Sequence, residues 1–151
     1  MLKKGRKKEM FKTSYGKYVA PQVIENQLKE SEFIEQVMVI GEGEKFAGAI
    51  ISPNFNMLSK WLETIHKIKI PDRKKLIKLP LVNARFEEEI NKSNQSLGMP
   101  EQIKQFILVS EKWSVNTSEL SPTLKLRRHF ILKKYKKLIT NIYNPVKKKR
   151  N

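Results

Sequence analysis

Two apolar runs on either side of a glycine-containing turn constrain this fold more than any other feature. Residues 33–40 and 46–52 are rich in apolar side chains, and the segment between them reads Gly-Glu-Gly-Glu-Lys. Such runs favour strands, and glycine readily adopts the backbone conformations that close a tight turn. The pattern therefore predicts a β-hairpin, and a hairpin this apolar needs helices to cover its faces.

The rest of the chain supplies those helices and further strands. Short strands are predicted at 10–12 and 17–19 around a turn at Tyr15-Gly16, and a third sheet strand at 103–110. Helices are predicted at about 21–30, 54–67, 81–96 and 126–143. Their expected buried positions are Val23, Ile24, Gln27 and Leu28 in the first, Val82, Phe86 and Ile90 in the third, and Ile131, Tyr135, Leu138 and Ile142 in the last. We expect an α+β fold: a small three-stranded, mainly antiparallel sheet packed by helices, plus a short N-terminal two-stranded β-ribbon.

Composition narrows the class of protein. A length of 151 residues suggests a single domain. The absence of cysteine excludes disulfides, thiolate metal sites and cysteine nucleophiles, and two histidines argue against a histidine-rich metal site. No apolar run approaches the ~20 residues of a membrane span. The lack of cysteine fits a reducing cytoplasm, where we expect the protein. The net charge of +16 predicts an anionic partner, which nucleic acid, a nucleotide or an acidic protein domain would equally satisfy.

Two short motifs carry a more specific signal. Pro-Thr-Leu-Lys at 122–125 places Lys125 on a loop before a basic helix, where a lysine can reach into the site of another domain. Near the start of the chain stand Gly-Arg-Lys-Lys at 5–8 and Ser-Tyr-Gly-Lys at 14–17. Together these motifs resemble the mobile C-terminal domain of the adenylate-forming ligases, most closely that of the long-chain fatty acyl-CoA synthetases. The resemblance implies that residues 5–143 form this domain, with 1–4 a start or linker segment and 144–151 a basic, disordered tail.

The resemblance also implies a reaction. A fatty acid would be activated with ATP and Mg²⁺ to an acyl-adenylate and transferred to coenzyme A, and this domain would rotate between the two half-reactions. Its partner would be an N-terminal adenylating domain of the same enzyme, which would hold the fatty acid and most ligands of Mg²⁺. The C-terminal domain alone would then be inactive.

Individual positions match the motifs of the family. Lys125 matches the catalytic adenylation lysine, whose charge would offset the negative charge that gathers at the α-phosphate. Lys8 matches the hinge, and Arg6 and Lys12 match residues that contact the adenylate. Gly16 matches the glycine of the coenzyme A tunnel, where the lack of Cβ lets a ligand approach the backbone closely. The neighbours expected to join Gly16 in binding coenzyme A are Ser14 and Lys17, and no metal ligand is expected.

Two alternatives remain open at this point. A basic nucleic-acid-binding module would explain the charge of +16 and the lysine-rich last helix, although not the two motifs, so nucleic acid is the less favoured partner. A ligase that passes its acyl group to a carrier protein would share the adenylation lysine. The basic tail at 147–150 is also a candidate for peripheral contact with an anionic membrane surface.

Overall fold

The fold is built around a three-stranded mixed sheet. In the computed structural model, which describes residues 9–144, the strands are β3 (Ile34–Ile40), β4 (Ala47–Pro53) and β5 (Ile103–Leu108), in the order β3-β4-β5. β3 and β4 pair antiparallel, as the predicted hairpin requires, while β4 and β5 pair in parallel. The α+β class is confirmed, and the sheet expected to be mainly antiparallel is corrected to a mixed one. The physical reason is the helical crossover between β4 and β5, which returns the chain to the same end of the sheet.

Within residues 9–144, six helices surround this sheet and a short ribbon precedes it. The ribbon pairs β1 (Phe11–Lys12) with β2 (Tyr18–Val19) in antiparallel fashion. The helices are α1 (Pro21–Leu28), α2 (Phe55–His66), α3 (Arg73–Leu76), α4 (Pro80–Asn94), α5 (Arg128–Lys134) and α6 (Lys136–Tyr143), with a 3-10 turn at Met99–Glu101. Asn54 caps α2 by accepting a hydrogen bond from the Met57 amide at 3.1 Å. In this part of the chain, no helix has the length and apolarity to cross a bilayer.

A hydrophobic core lies on each face of the sheet. Because successive side chains of a strand point to opposite faces, Val37 and Val39 of β3 join the core made with α1, α2 and α4. Met38 and Ile40 join the other core, which contains Ile131 of α5. The central strand β4 is buried along its whole length. The sheet thus anchors α1 on one side and the segment that follows β5 on the other.

Four details of the predicted helices are wrong. The last helix begins at Arg128 rather than Leu126, because Leu126 pairs with Leu120 in an isolated antiparallel bridge. It is also divided at Tyr135, whose backbone leaves the helical region, and Leu138 beyond the break is exposed. In α1, Val23 is exposed and Glu25 is buried in its place, because Glu25 forms an ion pair.

Candidate functional site

The loop that carries Lys125 is a closed turn. The Ser121 amide donates to the Lys125 carbonyl at 2.8 Å, and the Leu124 amide donates to the Ser121 carbonyl at 2.7 Å. The Lys125 amide donates to the Ser121 hydroxyl at 3.1 Å. These bonds and the Leu120–Leu126 bridge hold the backbone of the tip, while the Lys125 side chain is exposed to solvent. The predicted loop lysine is therefore presented on a fixed backbone.

The buried carboxylate of Glu119 holds in place the segment that leads into this loop. The Glu119 side chain is fully buried, and its Oε2 accepts from Lys134 Nζ of α5 at 2.6 Å. Its Oε1 accepts from the Thr117 hydroxyl and from the Ser114 amide. Burial acts to raise the pKa of Glu119, but the hydrogen bonds from Lys134, Thr117 and Ser114 outweigh it and leave the pKa below its ordinary value. Sequence patterns did not indicate this role, since Glu119 lies in a loop without periodicity.

A second ion pair joins α1 to the start of α5. Both guanidinium nitrogens Nη1 and Nη2 of Arg128 lie 2.7 Å from the carboxylate oxygens of Glu25. Glu25 Oε2 also accepts from the Val39 amide of β3 at 2.8 Å. Burial acts to lower the pKa of Arg128, and the hydrogen bond and charge of Glu25 more than reverse this, so the pKa is raised. Glu25 is therefore a buried ion-pair residue, and its partner Arg128 lies only three residues after Lys125.

A polar cleft opens beside Lys125. It has a volume of about 470 Å³ and lies between α1, β3 and the Lys125 loop. Charged side chains on its wall include Glu25, Lys29, Lys125 and Arg128, and the His129 side chain lines it as well. The Glu25–Arg128 ion pair lines this cleft. Lys125 lines it too and, among the described residues, takes part in no ion pair, so its ammonium group is available to an anion.

The β1–β2 ribbon forms a second tight turn. The Thr13 amide donates to the Lys17 carbonyl at 2.9 Å, and the Gly16 amide donates to the Thr13 carbonyl at 3.0 Å. Gly16 has φ +78°, and a Cβ placed there would meet no atom within 4 Å. A ligand can therefore approach the Gly16 backbone from open space. The ribbon docks on the β3–β4 turn, because the Ser14 amide donates to the Glu44 carbonyl at 2.9 Å.

Lysines gather around the ribbon turn. Lys17 lines a cleft of about 300 Å³ together with Lys45 and Lys104, which come from the β3–β4 turn and β5. Lys12 lies on the ribbon itself, with its Nζ 5.4 Å from the centroid of the Tyr18 ring. Lys45 and Lys104 were missed because they are distant in sequence from the ribbon. This cleft shares no lining residue with the cleft at Lys125, so Lys17 and Lys125 line two different clefts.

The remaining predicted site residues, Arg6 and Lys8, lie outside the described residues, as does the tail at 147–150. Within residues 9–144, no group of three or more histidine, aspartate and glutamate side chains is placed to hold a metal ion.

The family model for the AMP-binding enzyme C-terminal domain matches residues 9–147. The chain belongs to this family. The domain is 31% identical over 140 residues to the long-chain-fatty-acid–CoA ligase FadD15 of Mycobacterium tuberculosis, covering 93% of this chain and 23% of that ligase. It is 28% identical over 140 residues to the chloroplastic long-chain-fatty-acid–[acyl-carrier-protein] ligase AEE15 of Arabidopsis thaliana, covering 93% of this chain and 17% of that protein.

The fold of this AMP-binding enzyme C-terminal domain also matches a solved structure. The A domain of carboxylic acid reductase from Segniliparus rugosus superposes with a TM-score of 0.74 at 20% identity, over 93% of this chain and 20% of that one. The domain therefore spans about a fifth of the length of these proteins.

Proposed function

We propose that this AMP-binding enzyme C-terminal domain is the mobile lid of a long-chain fatty-acid–CoA ligase. The observation that carries the proposal is Lys125, an exposed lysine at the tip of a loop whose backbone is hydrogen-bonded at both ends. The identity of 31% to a long-chain-fatty-acid–CoA ligase supports this substrate class. The lid would close on an adenylating domain that holds ATP and the fatty acid.

Lys125 serves the first half-reaction. A carboxylate oxygen of the fatty acid attacks the α-phosphorus of ATP, the bond from that phosphorus to the bridging oxygen breaks, and pyrophosphate leaves. Two anions must approach each other, so a positioned cation lowers the barrier more than any acid or base would. The hydrogen-bonded backbone of the loop supports this role, because less conformational entropy is lost when Lys125 is placed at the reacting groups.

The ribbon turn serves the second half-reaction. The thiolate sulfur of coenzyme A attacks the carbonyl carbon of the acyl-adenylate, a thioester bond forms, and AMP leaves. Gly16 would line the pantetheine tunnel with its bare backbone, and Ser14 and Lys17 would flank it. Lys12 would contact the adenylate in this pose. The separation of the Lys125 cleft from the Lys17 cleft supports an alternation in which the domain turns one surface and then the other to the same substrate.

The remaining proposed roles belong to the adenylating domain or to residues 1–8. Mg²⁺ would accompany ATP and take its ligands from the adenylating domain. The hinge at Lys8 and the adenylate contact of Arg6 stay predictions. A cytoplasmic location is part of the same proposal.

A crossed pair of variants tests the proposal in the complete ligase. Fatty-acid-dependent pyrophosphate exchange reports adenylation, and thioester formation from supplied acyl-adenylate reports the second step. Lys125→Ala should reduce exchange by about 100-fold or more, as loss of a transition-state donor does, and spare thioester formation. Gly16→Leu should do the reverse, because its side chain would block the tunnel.

The matched control for Gly16→Leu is Gly43→Leu. Gly43 also has a positive φ, of +72°, and a Cβ placed there would also meet only open space, but it lies in the β3–β4 turn. Strain alone would affect both leucine variants alike. Equal losses of the two half-reactions in Lys125→Ala would contradict the role assigned to Lys125.

Transfer to a carrier protein is the second candidate, because the relative AEE15 is named as an acyl-carrier-protein ligase. Both candidates share the adenylation step and differ in the acceptor. Measuring the second half-reaction with coenzyme A and with a phosphopantetheinylated carrier protein separates them. We expect coenzyme A to be the better acceptor, because Lys17, Lys45 and Lys104 beside the ribbon favour a phosphorylated nucleotide.

A further inference from the structure

Leu124, the neighbour of Lys125, is held in a conformation that leucine rarely adopts. Its φ is +66°, in the left-handed region that is unfavourable for residues with a branched side chain. The residue is also 66% exposed, so burial within this domain does not compensate for the backbone cost. Glycine or asparagine would occupy this position with less strain. An exposed and strained leucine at the tip of a functional loop points to a contact outside the domain.

The surrounding loop keeps Leu124 in this conformation. Its own amide donates to the Ser121 carbonyl, and the Lys125 amide and carbonyl are both bonded to Ser121. Glu119 fixes the base of the loop through Lys134. The backbone therefore holds Leu124 and Lys125 in a fixed relation to each other. A domain that binds the Lys125 side chain must then also contact Leu124.

We propose that Leu124 is a docking residue that inserts into an apolar recess of the adenylating domain when the lid is in the adenylating pose. This inference rests on the proposed function of Lys125. The adenylating domain is the partner indicated by the position of Leu124, because Leu124 is covalently adjacent to the residue that enters the adenylating site. Length also indicates this partner, because this domain corresponds to 23% of one ligase relative and 17% of another, which leaves a large remaining part to supply the recess.

Two substitutions at Leu124 test the proposal in the complete ligase. Leu124→Asn suits the left-handed backbone and removes the apolar contact, so the thermal midpoint should stay level or rise while pyrophosphate exchange falls about tenfold, or about 1.4 kcal/mol of lost contact. Leu124→Met keeps the backbone strain and an apolar side chain, so exchange should stay near that of the wild type. Thioester formation from supplied acyl-adenylate should be unchanged in both variants, because the lid then presents its other surface.

Two controls make the outcomes separable. Ser118→Gly relieves a similar strain, at φ +79°, away from the tip and should leave exchange unchanged. Lys125→Ala tests the proposed function in the same assay, so that an indifferent Lys125→Ala overturns the function as well as this inference. If Lys125→Ala is selective and Leu124→Asn adenylates normally, the docking role alone is overturned.

Other binding partners for Leu124 would give different results. A Leu124→Asn variant with normal exchange but weaker self-association, or weaker binding to anionic phospholipid vesicles, would assign the leucine to a second copy or to a lipid surface. Equal loss of both half-reactions would assign it a general structural role. Each of these results overturns the proposal.

Discussion

The buried carboxylate of Glu119 offers a direct test of how the Lys125 loop is held. Glu119→Gln keeps the size of the side chain and the Oε1 acceptor for Thr117 and Ser114, but it removes the charge that faces Lys134 at 2.6 Å. A hydrogen bond between charged groups is worth about 1.5–3 kcal/mol. Removing one partner of a fully buried ion pair costs about 3–5 kcal/mol.

The exposure of Lys134 sets the expected magnitude. Its side chain is 31% exposed, so water can solvate the ammonium group once the carboxylate is gone, and the lower range applies. We therefore expect Glu119→Gln to lower the free energy of unfolding by about 2 kcal/mol. For a domain of this size the thermal midpoint should fall by about 4–8 °C.

Chemical denaturation and calorimetry of the 151-residue chain provide the assay. Glu87→Gln, at an exposed carboxylate of α4, is the matched control and should change stability by less than about 0.5 kcal/mol. A double-mutant cycle with Lys134→Met isolates the pair and should give a coupling energy of about 1 kcal/mol or more. A Glu119→Gln variant as stable as Glu87→Gln would refute the view that this carboxylate holds the loop.

The pH dependence of stability gives an independent measurement of the same group. Because the pKa of Glu119 is lower in the folded protein than in the unfolded chain, its contribution is complete above the unfolded pKa. It is lost as the pH falls through the folded pKa. The stability difference between wild type and Glu119→Gln should therefore shrink from about pH 5 downward. A difference that is constant across this range would contradict the assignment.

Two further predictions concern the framework of the site. Arg128→Lys should destabilise the domain by about 1–2 kcal/mol in chemical denaturation, because lysine cannot reproduce the two parallel bonds to Glu25, whereas Lys29→Arg on the same cleft should be near neutral. Gly41→Ala should cost about 2 kcal/mol or more, because φ is +139° and a Cβ would lie 2.8 Å from the Phe46 carbonyl oxygen. Gly43→Ala, with a positive φ but open space, should cost about 1 kcal/mol. Equal costs at the two glycines would show that the close contact at Gly41 is relieved by a shift of the chain.

Local patterns in the sequence predicted the elements well where burial and turn chemistry agreed. The hairpin of β3 and β4 was predictable because two apolar runs flank a turn with two glycines, and α2 because Asn54 caps it. The start of the last helix was not predictable, because the helical pattern of its residues continues back to Leu126. A bridge to Leu120, formed across the Lys125 loop, sets that boundary.

The candidate site divides in the same way. Lys125, Gly16 and their neighbours were identified from short motifs, since the chemistry they suggest depends on residues close together in the chain. Glu119–Lys134 and Glu25–Arg128 join residues that are 15 and 103 positions apart, and neither pair has a local signal. No sequence pattern indicated that Lys45 and Lys104 lie beside Lys17.

Local sequence thus specifies which segments form strands, helices and turns, and which short motifs carry the chemistry. The parallel pairing of β5 with β4 emerges only in the folded chain, because strand direction depends on the path of the helical crossover. The burial of Glu25 and Glu119 emerges there too, because a carboxylate enters a core only where a distant cation and backbone amides converge on it. The strain at Leu124 has the same origin, since hydrogen bonds across the folded loop hold a backbone angle that leucine would not adopt by itself.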